Sequence, residues 1–163
     1  TKTIGFILQE PFLFGGTIKD NILYGNTAYE NFDNEKTEKL LKDAGLFELL
    51  SRFEKGLDTP VSLGGESISL GQRQLIAFIR AILRKPEILI LDEATANIDT
   101  LTEAALQSVL EKLPKETTKV IIAHRLHTIE KADEIFFVNS GEVSSAGSLD
   151  HAVALLMHGK RKS

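Results

Sequence analysis

Runs of apolar residues alternate along the chain with segments in which apolar positions recur at helical spacing. Mostly apolar runs predict buried strands at residues 3–8, 88–91, 120–123 and 135–138, and a turn at 139–141 predicts a hairpin with a further strand at 142–145. Helical spacing and helix-start signals predict helices at residues 17–23, 35–44, 46–52, 69–85, 102–112, 126–131 and 149–157. Strands of this kind, separated by helices, indicate an α/β fold whose mostly parallel sheet is covered on both faces.

Two of the predicted helices begin with a capping box. Ser69 is followed three residues later by Gln72, and Thr100 is followed three residues later by Glu103. The stretch from about 17 to 67 contains no strand comparable to the others. We therefore interpret this stretch as a helical insertion at one edge of the sheet.

Polar side chains follow three of the predicted strands directly. Gln9 follows the first strand, Asp92 and Glu93 follow the second, and His124 follows the third. Ligands of open α/β sheets bind beyond the carboxyl ends of the strands, so we expect these four residues to lie together. Asp92 alone could cap a helix, and His124 alone could be a structural histidine, so the hypothesis depends on their joint position.

This set of side chains suits phosphoryl transfer. Asp92 is a hard oxygen ligand for Mg²⁺, and Glu93 could deprotonate an attacking water molecule. His124 could contact a phosphate oxygen, and Gln9 could reach the metal ion or the water. Such chemistry needs a bound nucleotide, so we expect the chain to contain a phosphate-binding segment.

The helix start at residues 69–72 is one such segment. A helix N-terminus presents free backbone N–H groups and the positive end of the helix dipole, which attract phosphate. Gly71 would allow the backbone to approach a ligand closely, and the Ser69 hydroxyl could donate to a phosphate oxygen. The capping box by itself is also what an ordinary capped helix shows.

Composition and charge exclude several classes of function. The net charge of −4 argues against a nucleic-acid partner, and the absence of cysteine excludes disulfides and thiolate metal sites. No apolar run reaches the roughly 20 residues that a membrane span needs. The phosphate-binding pattern G-x-x-x-x-G-K-[ST] does not occur in the 163 residues, and the first strand begins almost at Thr1. We expect the chain to be part of a longer protein.

Together these residues resemble the nucleotide-binding domain of ATP-binding-cassette (ABC) transporters of the exporter type, over nearly the whole chain. The segment ILQEPFLFGGTIKDNILYG is similar to the Q-loop and the entry to the helical subdomain. ISLGQRQ is similar to the signature motif, with Leu70 in place of a glycine. ILILDE is similar to the Walker B strand, ANID to the D-loop and IIAHR to the H-loop. Residues 64–67 lie where exporters carry a short loop that contacts the transmembrane domain.

The resemblance implies a role for each matching residue. Glu93 would be the catalytic base, His124 the switch histidine and Gln9 the Q-loop glutamine, while Asp92 and Gln9 would hold Mg²⁺. The ATP contacts would come from the signature residues Ser69, Gly71 and Gln72, which would bind the ATP of a partner domain, and from Asp99 of the D-loop.

The resemblance also implies an architecture. The fold would be a partial P-loop NTPase (RecA-like) core with an α-helical subdomain that carries the signature motif. Residues 1–16 would form a core strand and the Q-loop, residues 17–85 the helical subdomain, and residues 86–163 the rest of the core.

ATP and Mg²⁺ would be the cofactors. The partners would be a second nucleotide-binding domain, in a homo- or heterodimer, and a transmembrane domain, at the cytoplasmic face of a membrane. The full-length protein would be a transport-coupled ATPase, and this chain would be inactive alone. The alternative is an accessory module that donates its signature motif to a partner cassette.

Overall fold

The computed structural model describes residues 3–92, 98–123 and 130–159. The chain divides into two compact units, residues 1–122 and 123–163, which are described separately below. Among the described residues, no helix has the length and apolarity that crossing a bilayer requires.

In its described residues, 3–92 and 98–122, the first unit contains five strands and four α-helices. In chain order they are β1 (Ile4–Ile7), β2 (Gly16–Thr17), α1 (Ile18–Leu23), α2 (Asn34–Asp43), β3 (Pro60–Val61), α3 (Leu70–Leu83), β4 (Ile88–Asp92), α4 (Thr100–Glu111) and β5 (Thr118–Ile122). Short 3₁₀ helices cover Phe47–Arg52, Gly56–Asp58 and Leu63–Gly65. The predicted helix at 46–52 is thus of the tighter 3₁₀ type.

The main sheet is parallel, in the order β1-β4-β5. Ile7 pairs with Leu91, and Leu91 pairs with Ile121, so the carboxyl ends of the three strands meet at one edge. The predicted α/β class with a parallel sheet is confirmed.

The core of this unit lies between one face of the sheet and the long helix α3. Ile7 and Leu89 point from the sheet into the core, and Ile76, Phe78 and Ile79 enter it from α3, all essentially without solvent exposure. Each such residue contributes about 1.5–3 kcal/mol of burial energy. Because α3 also packs against α1, it is the central support of the unit.

The other face of the sheet is more open than expected. Ile4 and Phe6 alternate with the buried positions of β1, and Val120 and Ile122 flank the half-buried Ile121 in β5. Each of the four is about half exposed. The prediction that both faces are covered is therefore not met by the residues that the structure describes.

The capping box predicted at Thr100 and Glu103 is wrong. Asp99 has extended backbone angles, and its carboxylate accepts the backbone N–H of Thr102 at 3.1 Å. The N-cap is therefore Asp99. Its carboxylate satisfies a free backbone N–H group and interacts favourably with the positive end of the helix dipole. The helix consequently begins at Thr100, two residues earlier than predicted.

The two-residue strands β2 and β3 were not predicted from the sequence. They pair in antiparallel fashion, with Gly16 opposite Val61 and Thr17 opposite Pro60. They join the segment after Gln9 to the segment before α3, which are about 45 residues apart along the chain.

The second unit contains a hairpin and a helix. Strands β6 (Phe136–Asn139) and β7 (Glu142–Ser145) pair in antiparallel fashion, and helix α5 (Leu149–Gly159) follows. Ser140 and Gly141 both have positive φ, as a two-residue hairpin turn of the favoured hand requires. The hairpin prediction is confirmed, whereas most of the helix predicted at 126–131 falls outside the described residues.

Candidate functional site

Gln9 and Asp92 lie at the same edge of the sheet, at the carboxyl ends of neighbouring strands. Asp92 directly follows Leu91, and Gln9 comes two residues after Ile7, the register partner of Leu91. Asp92 is half-buried and Gln9 is exposed. Glu93 lies outside the described residues, and so does His124.

The start of α3 forms the predicted capping box. The Ser69 hydroxyl accepts the backbone N–H of Gln72 at 3.1 Å, and the Gln72 carbonyl oxygen Oε1 accepts the backbone N–H of Ser69 at 2.9 Å. The Gln72 amide nitrogen in turn donates to the backbone carbonyl of Arg52 at 2.8 Å. Both ends of the Gln72 side chain are therefore engaged within the chain, so its amide fixes the helix start.

The groups left for a ligand at this helix start are the Ser69 hydroxyl, which is exposed, and the first backbone N–H groups, at Leu70 and Gly71. N–H groups of the first helical turn have no partner within the helix. A helix of 14 residues also carries a full dipole at this end. The arrangement can accept an anion such as phosphate.

Asp99 lies beside this helix start. Its carboxylate is 3.3 Å from the guanidinium of Arg52. Arg52, Ser69, Gly71, Gln72, Leu75, Ile98 and Asp99 together line an open hollow of about 400 Å³. The residues predicted to be in the signature and the end of the D-loop are thus brought into one site.

The hydrogen bonds to Asp99 stabilise the ionised form of its carboxylate. The Thr102 hydroxyl donates to it at 2.7 Å. That hydroxyl and the Thr102 backbone N–H lower the pKa of Asp99 below its usual value, and Arg52 lowers it further. The site therefore carries a guanidinium and a carboxylate side by side at neutral pH.

The segment that follows Gln9 is fixed by Asn21 and Arg80. Asn21 is fully buried, and its side chain exchanges two hydrogen bonds with the backbone of Phe14, both at 2.9 Å. Arg80 donates to the backbone carbonyls of Asn21 at 2.7 Å and of Phe12 at 3.1 Å. Burial, assisted by Arg84, lowers the pKa of Arg80 to about 10, so Arg80 stays charged at neutral pH.

Sequence reasoning missed three residues that organise the site. They are Arg52, Arg80 and Gln74, whose side-chain amide donates to the backbone carbonyl of Gln9 at 2.9 Å. Gln74 had a detectable signal, because a polar residue interrupts the apolar stripe of α3 at that position. Arg52 and Arg80 had none, because their partners lie 47 to 68 residues away in the sequence.

Comparison with known proteins gives a consistent result. A sequence model described as "ABC transporter" matches residues 1–96. The uncharacterized ABC transporter ATP-binding protein YfiC of Bacillus subtilis is 45% identical over 152 residues, which is 93% of this chain and 25% of that protein. The ATP-dependent lipid A-core flippase of Pasteurella multocida is 44% identical over 161 residues, which is 99% of this chain and 27% of that protein.

A solved structure agrees with these sequence relatives. A bacterial Atm1-family ABC exporter with ATP bound superimposes with a TM-score of 0.75 at 32% identity, over 96% of this chain and 27% of the exporter chain. The chain spans about a quarter of the length of the relatives it matches.

Proposed function

The chain belongs to the ABC transporter family, and from this membership we propose that it is part of the ATP-binding and ATP-hydrolysing domain of an exporter. The observation that carries the proposal is the hollow in which the start of α3 meets Asp99. In this proposal two such domains pair head to tail, and the hollow receives the ATP held mainly by the other domain. Residues 17–85 act as the helical subdomain that carries the signature.

We assign the nucleotide contacts of this hollow as follows. The Ser69 hydroxyl and the backbone N–H at Gly71 contact the phosphates of the partner's ATP. Gln72 supports them through its two bonds within the chain. Asp99, fixed by Thr102 and Arg52, holds the end of the D-loop where a second domain would contact it.

The residues at the sheet edge fit a magnesium ion. Asp92 and Gln9 offer oxygen donors from neighbouring strands. Among the described residues, no group of three or more His, Cys, Asp or Glu side chains could hold a metal ion by itself. Mg²⁺ needs no such group, because it takes one or two protein oxygens and completes its shell with water and phosphate. When bound, the ion would neutralise charge on the phosphates, Glu93 would act as the base, and His124 would contact the phosphate.

We propose that the transmembrane domain docks on an exposed apolar surface next to Gln9. Phe12, Tyr24 and Leu63 are 63%, 51% and 74% exposed. The Phe14 ring links two of them, with ring centroids 5.0 Å from Phe12 and 4.0 Å from Tyr24. The Gly64 N–H donates to the Leu13 carbonyl at 3.2 Å, which holds the loop at residues 62–67 against this segment. Clustered exposed aromatic residues of this kind mark interaction surfaces, and the proposal places the domain at the cytoplasmic face of a membrane.

The ATPase proposal is tested in the full-length protein that contains this chain, reconstituted in lipid. Wild-type protein should hydrolyse MgATP, and Glu93→Gln should lower kcat by roughly 10²- to 10⁴-fold, as the loss of a general base does. Asp92→Asn should also lower kcat and should raise the Mg²⁺ concentration needed for half-maximal rate. Asp43→Asn removes an exposed carboxylate of α2 and serves as the matched control, with an unchanged rate. A wild-type protein without ATPase activity would refute the proposal.

The 163-residue chain alone should bind MgATP weakly and hydrolyse it negligibly. The pattern G-x-x-x-x-G-K-[ST] does not occur in it, and each missing charge-assisted hydrogen bond to phosphate is worth about 1.5–3 kcal/mol. Calorimetric titration should detect no micromolar binding. Micromolar affinity would mean that the described residues hold the nucleotide without such a loop.

A further inference from the structure

Gln74 is a buried polar residue in the apolar face of α3. Its side chain has no solvent exposure. The amide nitrogen donates to the backbone carbonyl of Gln9 at 2.9 Å, across 65 residues of sequence. The amide oxygen Oε1 is buried and has no hydrogen-bond partner among the residues that the structure describes.

The stability of the fold does not explain this residue. One hydrogen bond returns less net free energy than a buried, unpaired acceptor costs, so an apolar side chain of the same size would serve the core at least as well. The described neighbours on the same helix, Leu75, Ile76 and Phe78, are apolar and buried. A glutamine at this point is therefore better explained by what its amide holds.

We propose that Gln74 is a positioning residue for Gln9, which it ties to the helix that begins at the signature motif. Gln74 lies in the same rigid helix as Gly71 and Gln72, within its first one and a half turns. The hydrogen bond fixes the backbone of Gln9 relative to that helix start. The start of α3, which in the proposal contacts the partner's ATP, therefore sets the position from which the Gln9 side chain extends.

This inference rests on the ATPase function proposed above and adds a link between two of its parts. Gln9 is the group that reaches the metal ion and the water at the edge of the sheet. With the link intact, Gln9 and the signature move as one body. Without it, Gln9 loses the side-chain hydrogen bond that joins its backbone to the first turns of α3.

The test compares four forms of the full-length protein in lipid: wild type, Gln74→Met, Gln9→Ala and the double variant. Gln74→Met keeps the length of the side chain and removes the amide. We expect kcat to fall about 10- to 100-fold, as a misplaced catalytic group causes, with the KM for ATP changed less than threefold. The double variant should be no slower than Gln9→Ala, because Gln74 acts through Gln9.

Two controls separate positioning from packing. Ile79→Val removes one methylene from another fully buried side chain of α3 and should leave kcat within about twofold of wild type. Gln74→Leu also lacks a donor at this position, and it should reproduce the kcat loss of Gln74→Met. Thermal unfolding of each variant reports folding, and Gln74→Met should melt no lower than Ile79→Val.

Three results would overturn the inference while leaving the ATPase proposal intact. They are an unchanged kcat in Gln74→Met, losses that multiply in the double variant, and a kcat loss that follows the melting temperature across all variants. Inactive wild-type protein would instead refute the ATPase proposal, and the inference with it.

Discussion

Ser69 has two separable roles, as the N-cap of α3 and as a proposed phosphate contact. Ser69→Ala removes one hydrogen bond, from the Gln72 N–H to the hydroxyl at 3.1 Å, and leaves the reciprocal bond from the Ser69 backbone in place. Loss of a serine cap costs about 1 kcal/mol. For a chain of this length that lowers the melting temperature by roughly 2–4 °C.

Ser69→Asp separates the two roles, because aspartate caps a helix as well as serine does and its charge favours the helix dipole. Its carboxylate would also lie in the hollow that Arg52 lines. We expect this variant to melt at or above the wild-type temperature. Its negative charge, however, would repel a phosphate at the helix start.

The two readouts are thermal unfolding of the chain and the ATPase rate of the full-length protein. Ser69→Ala should lose one hydrogen bond to phosphate, worth about 1.5–3 kcal/mol, which slows the reaction roughly 10- to 150-fold. Ser69→Asp should be slower still, despite its restored stability. An ATPase rate of Ser69→Asp equal to that of wild type would refute the phosphate contact. A melting temperature of Ser69→Asp as low as that of Ser69→Ala would refute the capping argument.

Three further predictions concern the supports of the site. Gly65→Ala should destabilise the chain more than Gly64→Ala in urea unfolding. Both residues have φ near +78°, but a Cβ at Gly65 would lie 2.8 Å from a side-chain carbon, whereas Gly64 faces open space. Equal losses of stability would contradict this prediction. Asn21→Ala removes four hydrogen bonds of a fully buried side chain and should cost about 2–4 kcal/mol, whereas Asn26→Ala, which removes one bond of 3.3 Å, should cost far less. The pKa of Asp99 is lowered on folding, so the ionised side chain adds to the free energy of unfolding above its unfolded pKa of about 3.9, and this stabilisation is lost as the pH falls through the lower folded value. Asp99→Asn should therefore reduce the loss of stability at acid pH. An unchanged acid dependence would contradict the role given to Asp99.

The sequence predicted local features well, because their causes are local. Apolar runs located β1, β4 and β5, and the Ser69–Gln72 pair located the start of α3. Parallel strands also put Gln9 and Asp92 at one edge of the sheet by topology alone. The start of α4 was misjudged because two capping residues, Asp99 and Thr100, compete next to each other.

Contacts between distant segments could not be predicted in this way. The hydrogen bond between Gln74 and Gln9 and the ion pair between Arg52 and Asp99 join residues 65 and 47 positions apart. Gln74 is visible as a polar residue in an apolar stripe, but the sequence does not indicate its partner. The pair of Arg52 and Asp99 leaves no periodic signal, because it depends on how distant segments pack. The parts of the site were therefore visible in the sequence, and the links between them were not.

The pairing of β1 with β4 has a consequence for synthesis on the ribosome. Ile4 pairs with Ile88, so β1 cannot pair with β4 until about 80 further residues have been translated. This takes roughly 4–16 s at 5–20 residues per second. During that time Phe6 and Ile7 have no strand partner among the described elements, while α1, α2 and α3 are already being made. The strand that presents Gln9 is thus translated long before the strand with which it pairs.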